Sequence, residues 1–358
     1  MKAPFGIALS LAAAACVPPP PSAGAPADAG PPADTGTSDA GGPAGSYAIV
    51  VLPDTQYYAS SWPEIFDAQT QWIAENREAL RIAFVLHTGD IVDADVPEQW
   101  EAARRSLSTL EGRVPFALAA GNHDYANIAD RMGMINAFFP PSRFAAHPWF
   151  GGTFEPEHVE NSYYRFDAGA GQWLVLALEF GPRDEVLAWA DGVLKAFSDT
   201  PAIVITHAYL THDGTRYDRN ASPHQAYNPH DYVMMGQPRT TINDGEEMWR
   251  KLILPNGNVR LVFSGHDVSG DGLPPGTAAH LTSTRTDGSV VHEVLANYQT
   301  CVAPPCETFD GNTVRGGSGY LRILRVSPAD RTVSISTYSP YLHRYLEDPS
   351  NAFTLPMN

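Results

Sequence analysis

Five short apolar runs in this chain each lead into residues that can ligate a metal or carry a proton. Val51-Leu52-Pro53 runs into Asp54-Thr55-Gln56, and Phe84-Val85-Leu86-His87-Thr88 runs into Gly89-Asp90. Ala117 to Ala120 leads to Gly121-Asn122-His123-Asp124, Ile203 to Thr206 leads to His207, and Leu261 to Ser264 leads to Gly265-His266. In open α/β sheets, ligands gather beyond the carboxyl ends of the strands. A strand that ends in Gly-Asp is by itself no more than an Asx turn, and Gly-Asn-His-Asp alone reads equally well as a capped turn with a surface histidine. Five such ends in one chain, all carrying carboxylate, amide or imidazole groups, describe a metal cluster. That donor mixture suits manganese, iron or zinc.

The elements that must position these residues alternate. Tyr47 opens a buried strand, Pro63 to Leu80 reads as a helix, and Ile82 to His87 reads as a second strand. Pro97 to Leu110 is a helix with proline in its first turn. Ser162 to Phe166 pairs with Trp173 to Glu179. A helix over Arg183 to Phe197 precedes the strand Ala202 to Thr206, and Asp244 to Leu254 is helical before the strand Arg260 to Ser264. The last third is mostly β: Val290 to Ala296 is a strand, and Gly319 to Val326 and Thr332 to Tyr338 form a hairpin. The reading is a single α/β domain over residues 46–358 with mixed sheets. Trp62, Trp72, Trp100 and Trp189 fall at helix-packing positions.

Composition narrows the partners. With 40 Asp and Glu against 23 Lys and Arg, the 358-residue chain carries a net charge of −17. That balance argues against nucleic acid, which needs a basic footprint. Residues 1–16 carry the pattern of an export signal: Lys2, a mostly apolar stretch from Ala3 to Ala15, then Cys16. The small residues before Cys16 resemble a bacterial lipoprotein cleavage box, although Ala13 stands where leucine is usual. The expectation is a protein of the bacterial envelope, lipid-anchored through Cys16 on the periplasmic or outer face, or secreted. Residues 17–45 lack aromatics, Lys and Arg, and are expected to form a disordered Pro/Ala/Gly tether. In an exported chain, Cys301 and Cys306 are expected to form a local disulfide.

The ordered motifs resemble the signature of the calcineurin-like metallophosphoesterases: Asp-x-His, Gly-Asp, Gly-Asn-His-Asp/Glu, His, Gly-His-x-His. The match runs over about residues 47 to 340. The resemblance implies two mixed β-sheets packed as a sandwich and flanked by helices, a four-layer α/β/β/α fold with a dinuclear site at one edge. It implies that Asp90 bridges two divalent or trivalent metal ions. Asn122, His207 and His266 would complete one site, and Asp54 and Gln56 the other. It further implies that His123 faces the substrate as a catalytic group with Asp124 as its orienting partner. Water activated by the metal pair would then cleave a phosphomonoester or phosphodiester.

Two residues depart from the family pattern. Gln56 stands where histidine is common, and Val268 occupies the place of the second histidine of Gly-His-x-His. Valine cannot ligate, so the Asp54–Gln56 metal is expected to bind more weakly than the Asn122–His207–His266 metal. Asp93 is read either as a support of the ligand loop or as an ordinary turn residue. His212, His224 and Tyr227, in a stretch rich in Asn, Asp, His and Tyr, are candidates for lining a substrate pocket. Asn297-Tyr298-Gln299 is read first as an ordinary strand-end turn, with a place at the site edge as the alternative. Arg315 is read first as a surface arginine, with a phosphate contact as the alternative. The substrate class is a phosphorylated small molecule, lipid or nucleotide. The alternative reading is a non-catalytic or single-metal envelope binding module on a degenerate form of the fold. Gln56 and Val268 favour it, and the intact Asn122-His123-Asp124 opposes it.

Overall fold

The computed structural model describes residues 45–169, 171–232, 241–269, 276–300, 308–309, 312–313 and 317–357. Cys16, Cys301, Cys306 and Arg315, together with the expected export signal and the tether up to residue 44, lie outside them.

Two seven-stranded sheets carry the chain. The first contains β1 (Tyr47–Leu52), β2 (Ile82–His87), β3 (Phe116–Leu118), β13 (Leu321–Ser327), β14 (Thr332–Ser339), β15 (Arg344–Leu346) and β16 (Phe353–Pro356). Its order is β15-β14-β13-β1-β2-β3, with β16 also on β14. β1, β2 and β3 run parallel, and β13 is antiparallel to β1. The second contains β4 (Phe150–Thr153), β5 (Ser162–Asp167), β6 (Gln172–Ala177), β7 (Ala202–Ile205), β8 (Val259–Ser264), β9 (Ala278–Thr284) and β10 (Val290–Ala296). Its order is β4-β5-β6-β7-β8-β10-β9, with β6, β7, β8 and β10 parallel. A two-residue ribbon pairs β11 (Thr308–Phe309) with β12 (Asn312–Thr313).

Strand side chains alternate between faces, and that period builds the layers. Ile49, Val51, Phe84 and Leu86 of the first sheet pack with Val175, Ile203, Ile205 and Phe263 of the second, forming the core between the sheets. The intervening residues Val50, Leu52 and Val85 face outward against helices α1 (Gln56–Ser61), α2 (Pro63–Asn76) and α3 (Pro97–Ser108). Two short helices, α4 (Ile135–Phe138) and α5 (Pro141–Phe144), extend that layer. Leu174, Leu176, Val204 and Val262 face the other way, against α6 (Asp184–Ala196) and α7 (Gly245–Met248). The result is the expected four-layer α/β/β/α sandwich. A buried Val, Leu or Ile contributes about 1.5–3 kcal/mol relative to exposure. The alternating rows therefore hold strands as short as β3 and β7, with 3 and 4 residues, where local propensity would not.

Two helices differ from expectation. α2 stops at Asn76, whose side-chain amide donates to Trp72 O at 2.8 Å and competes with the backbone ladder. The segment expected to be one helix from Asp244 to Leu254 has a single α-turn and then a π-turn over Trp249–Ile253, closed by Leu254 N to Trp249 O at 2.8 Å. The wider turn presents Trp249 to the Arg216 guanidinium, 3.9 Å from the ring centroid, while Leu252 and Ile253 stay in the core. A hydrophobic pattern does not register one extra residue per turn.

Candidate metal centre

The carboxyl ends of β1, β2 and β3 in one sheet and of β7 and β8 in the other open onto the same edge, so Asp54, Gln56, Asp90, Asn122, His207 and His266 belong to one neighbourhood. His207 Nε2 lies 3.1 Å from Asp90 Oδ2 and 3.9 Å from Asp54 Oδ1. Ligating atoms of Asp90, His207 and His266 all fall within 4.8 Å of one another. Asp54 Oδ1 accepts from the His266 N–H at 3.0 Å, and Asp90 Oδ1 from the His123 N–H at 3.0 Å. Asp54 Oδ2, Gln56 Oε1, Asn122 Oδ1 and His207 Nε2 are buried without a hydrogen-bond partner. An unpaired buried polar atom costs about 1–3 kcal/mol. Four of them at the same strand-end edge as Asp90 form a hard and borderline donor set suited to a cation.

The tautomers agree with that reading. His207 Nδ1–H donates to Thr88 O at 2.9 Å, so Nε2 is the nitrogen that faces Asp90. His266 does the converse: Nε2–H donates to Tyr227 O at 2.9 Å and leaves Nδ1 free. Carbonyl partners of this kind orient metal-ligating histidines. Burial alone would lower His207, but Asp90 and Asp54 beside it outweigh burial and raise it to about 9. Asp54 is pushed up to about 8, first by burial and then by Asp90, against the pull of His207. Burial also dominates for His266, which with the charge of His207 falls to about 3 and stays neutral.

The backbone is bent to make the cluster. Asp54, Asp90 and His266 adopt left-handed φ values of 35°, 49° and 73°. Such conformations cost non-glycine residues energy and concentrate at functional sites. The preceding glycines give the carboxylates room: a Cβ on Gly121 would land on Asp90 Oδ1, and one on Gly265 would land on Asp54 Oδ2.

His123 sits beside the cluster, but its partner is not the expected one. Its Nδ1–H donates to Asp93 O at 2.7 Å, with the Asp93 carboxylate 3.7 Å away. Asp124, expected to hold the His123 ring, instead spends both oxygens on backbone: Oδ1 on Ile91 N and Val92 N at 2.8 and 3.0 Å, Oδ2 on Gly121 N at 2.8 Å. It ties the β2 ligand loop to the β3 ligand loop, and Asp93 orients the histidine. Burial pulls His123 down, yet Asp90 and the Asp93 carbonyl and carboxylate raise it above its ordinary value. His87, to which the sequence assigned nothing, anchors the Asp54 loop through Thr55 Oγ1 at 2.9 Å.

A cavity of about 840 Å³ opens over the cluster, lined by Gln56, Asp90, Asn122, His123 and His266. His212, His224 and Tyr227 line it as well. His212 Nδ1–H donates to the buried Asp267 carboxylate at 2.8 Å, His224 bonds Asp231 at 2.9 Å, and Tyr227 is 65% exposed at the rim. Val268 also lines the cavity. Asn297 lies one layer back, donating to His266 O at 3.0 Å. Asp267 is the functional candidate that sequence reading missed. Its position next to His266 in Gly265-His266-Asp267 was the available signal.

A two-sheet sandwich whose parallel strands deliver carboxylate, amide and imidazole donors to one edge is a scaffold suited to holding metal ions. The calcineurin-like phosphoesterase family model matches residues 47–270, and the chain belongs to that family. The chain is 34% identical over 310 residues to the uncharacterized protein YvnB of Bacillus subtilis (strain 168). The match takes in 83% of this chain and 20% of YvnB, so the chain spans about a fifth of that relative's length. Among solved structures it is similar to purple acid phosphatase PPD1 from yellow lupin (TM-score 0.49, 14% identity, 86% of this chain and 53% of that one). It is also similar to GAP50 of Plasmodium (TM-score 0.45, 11% identity, 87% and 89%).

Proposed function

We propose that this chain hydrolyses phosphate esters, monoesters or diesters, at a pair of metal ions held by its strand-end cluster. The observation that carries the reading is the set of four buried, unpartnered donor atoms around Asp90. Asn122 Oδ1, His207 Nε2 and His266 Nδ1 would hold one ion, Asp54 and Gln56 Oε1 the other, with Asp90 shared. Bound divalent ions would supply Lewis acidity, polarising phosphoryl oxygens and making water more acidic.

The chain's own residues do the rest. Thr88 O and Tyr227 O fix the two ligand histidines in their donor tautomers. His123, whose pKa Asp90 and Asp93 raise against the pull of burial, lines the cavity, where its protonated form can stabilise negative charge developing on the phosphoryl group. Val268 in place of a histidine leaves the Asp54–Gln56 side with fewer donors, so that ion binds more weakly.

The test is metal content per chain after reconstitution with manganese or zinc, together with turnover of 4-nitrophenyl phosphate and bis(4-nitrophenyl) phosphate with and without chelator. Two ions and chelator-sensitive turnover are expected. A chain that binds one ion or none and turns over neither ester would put the binding-module reading ahead.

A further inference from the structure

The cavity holds a second ordered histidine. His212 is carried on the turn after β7, five residues beyond the ligand His207, and its side chain is 40% exposed to the cavity. Its Nδ1–H is fixed at 2.8 Å on Asp267 Oδ2, and the same oxygen accepts the His212 main-chain N–H at 2.6 Å. Asp267 is 6% exposed and follows the ligand His266 directly, with its own N–H on Gly265 O at 2.9 Å. A buried carboxylate on Nδ1 sets the tautomer and the ring plane, so Nε2 is directed away from Asp267. The other charged group near that nitrogen is the Asp213 carboxylate, 3.9 Å away. A surface histidine needs no such anchor.

The cavity wall divides by chemistry. Gln56, Asp90, Asn122 and His266 offer ligating atoms, while Thr211 to Asp213 and Ala221 to Tyr227 offer the organic part of a substrate a place to lie. In an in-line displacement the nucleophile and the leaving oxygen stand on opposite sides of phosphorus. With the phosphoryl group held at the metal donors, the second part of the cavity is the space open to the leaving group.

Resting on the phosphoesterase reading above, we propose that His212 is the proton donor to the leaving oxygen, with Asp267 as its positioning residue. Water supplies the oxygen that joins phosphorus and gives up one proton to solvent. As the phosphorus–oxygen ester bond breaks, its electron pair stays on the leaving oxygen, which takes the Nε2 proton and departs as an alcohol. The neutral imidazole, still holding Nδ1–H on Asp267, regains a proton from solvent. His123 then serves the phosphoryl end, and the two histidines divide the charge. The substrate this favours is an ester of a poorly acidic alcohol, where protonating the leaving oxygen matters most.

The experiment measures kcat/KM of the metal-reconstituted full chain on a matched series of esters, from 4-nitrophenyl through phenyl to alkyl. Wild type, His212→Ala and Asp267→Asn are compared. A positioned general acid contributes about 10²–10⁴-fold. His212→Ala is expected to lose at least about 10²-fold on the alkyl ester and less than about tenfold on the 4-nitrophenyl ester. The plot of log kcat/KM against leaving-group basicity therefore steepens. Asp267→Asn should steepen it in the same direction but less, which a purely structural anchor would not do. A uniform loss along the series, or none, in His212→Ala overturns the assignment. A wild-type chain inactive on every ester overturns the phosphoesterase reading itself, and the proposal with it.

Discussion

Among the described residues, two clusters each bring three histidine and carboxylate groups within ligating reach of one another, and they differ in what their atoms are bonded to. Around Asp90, His207 and His266, four buried donor atoms have no partner, and three residues hold left-handed backbone. The other cluster is His230, Asp244 and Glu247. There both Asp244 oxygens, Glu247 Oε2 and His230 Nε2 are engaged. Asp244 Oδ1 accepts from Glu247 N at 3.0 Å and Oδ2 from Arg219 N at 2.6 Å. Glu247 Oε2 accepts from Asp244 N at 3.2 Å and from His230 Nε2 at 2.7 Å. This is a capping box at the start of α7, reinforced by an imidazole. Residue types and proximity are alike in the two places. Hydrogen-bond satisfaction separates a centre built for a cation from a helix cap.

The largest expected difference comes from exchanging one carboxylate in each. A bound metal pair supplies several kcal/mol of transition-state stabilisation, so Asp90→Asn should cost about 10³-fold in kcat/KM and lower metal content. Glu247→Gln should leave both unchanged within about twofold. Equal effects on turnover and metal content would erase the distinction.

Next in size is His123→Ala. It is expected to lower kcat by about 10²–10⁴-fold while metal content and melting temperature hold. Wild-type turnover in that variant would remove His123 from the chemistry.

Metal removal sharpens the comparison in stability. An ion at 100 times its dissociation constant stabilises a fold by about 2.7 kcal/mol, so chelation should lower the melting temperature of wild type and of Glu247→Gln. Asp90→Asn should respond much less. Because His207 sits at about 9 in the metal-free chain, binding displaces a proton at neutral pH. Affinity should therefore weaken as pH falls below that value, and titration calorimetry in two buffers reads the released proton. No proton release would contradict a His207 that is protonated at neutral pH before metal binds.

The smallest effect belongs to the cap. Burial would raise Glu247, but its bonds from His230 and from Asp244 N outweigh burial and depress it. A depressed carboxylate contributes stability that is full above the unfolded value, near 4.3, and is lost as pH falls through the lower folded value. Glu247→Gln should cost about 0.3–1 kcal/mol at neutral pH and flatten the acid limb of the stability profile below about pH 4. An unchanged acid limb would remove Glu247 as its source.

The candidate ligand residues were legible because each follows a short apolar strand, and strands of this kind announce themselves by pattern. The two-sheet sandwich entered with the family resemblance, and the side-chain alternation of Ile49–Leu52 and Ile203–Ile205 realises it. The partners of the site residues were not legible. His123 was assigned to its neighbour Asp124, yet the fold gives it the main-chain carbonyl of Asp93, and carbonyls have no sequence signature. His87 showed no motif because its role is one hydrogen bond to Thr55, 32 residues earlier.

By itself the sequence determined which residues carry donor groups and which strands end at them, since both follow from residue type and short-range periodicity. Tertiary structure decided which donors remain unsatisfied, which nitrogen of each histidine is free, and that Asp267 faces His212. Those outcomes depend on loops from separate strands meeting at one edge. A hydrogen bond between residues 55 apart, as from His212 to Asp267, exists only once β7 and β8 have paired side by side in the second sheet.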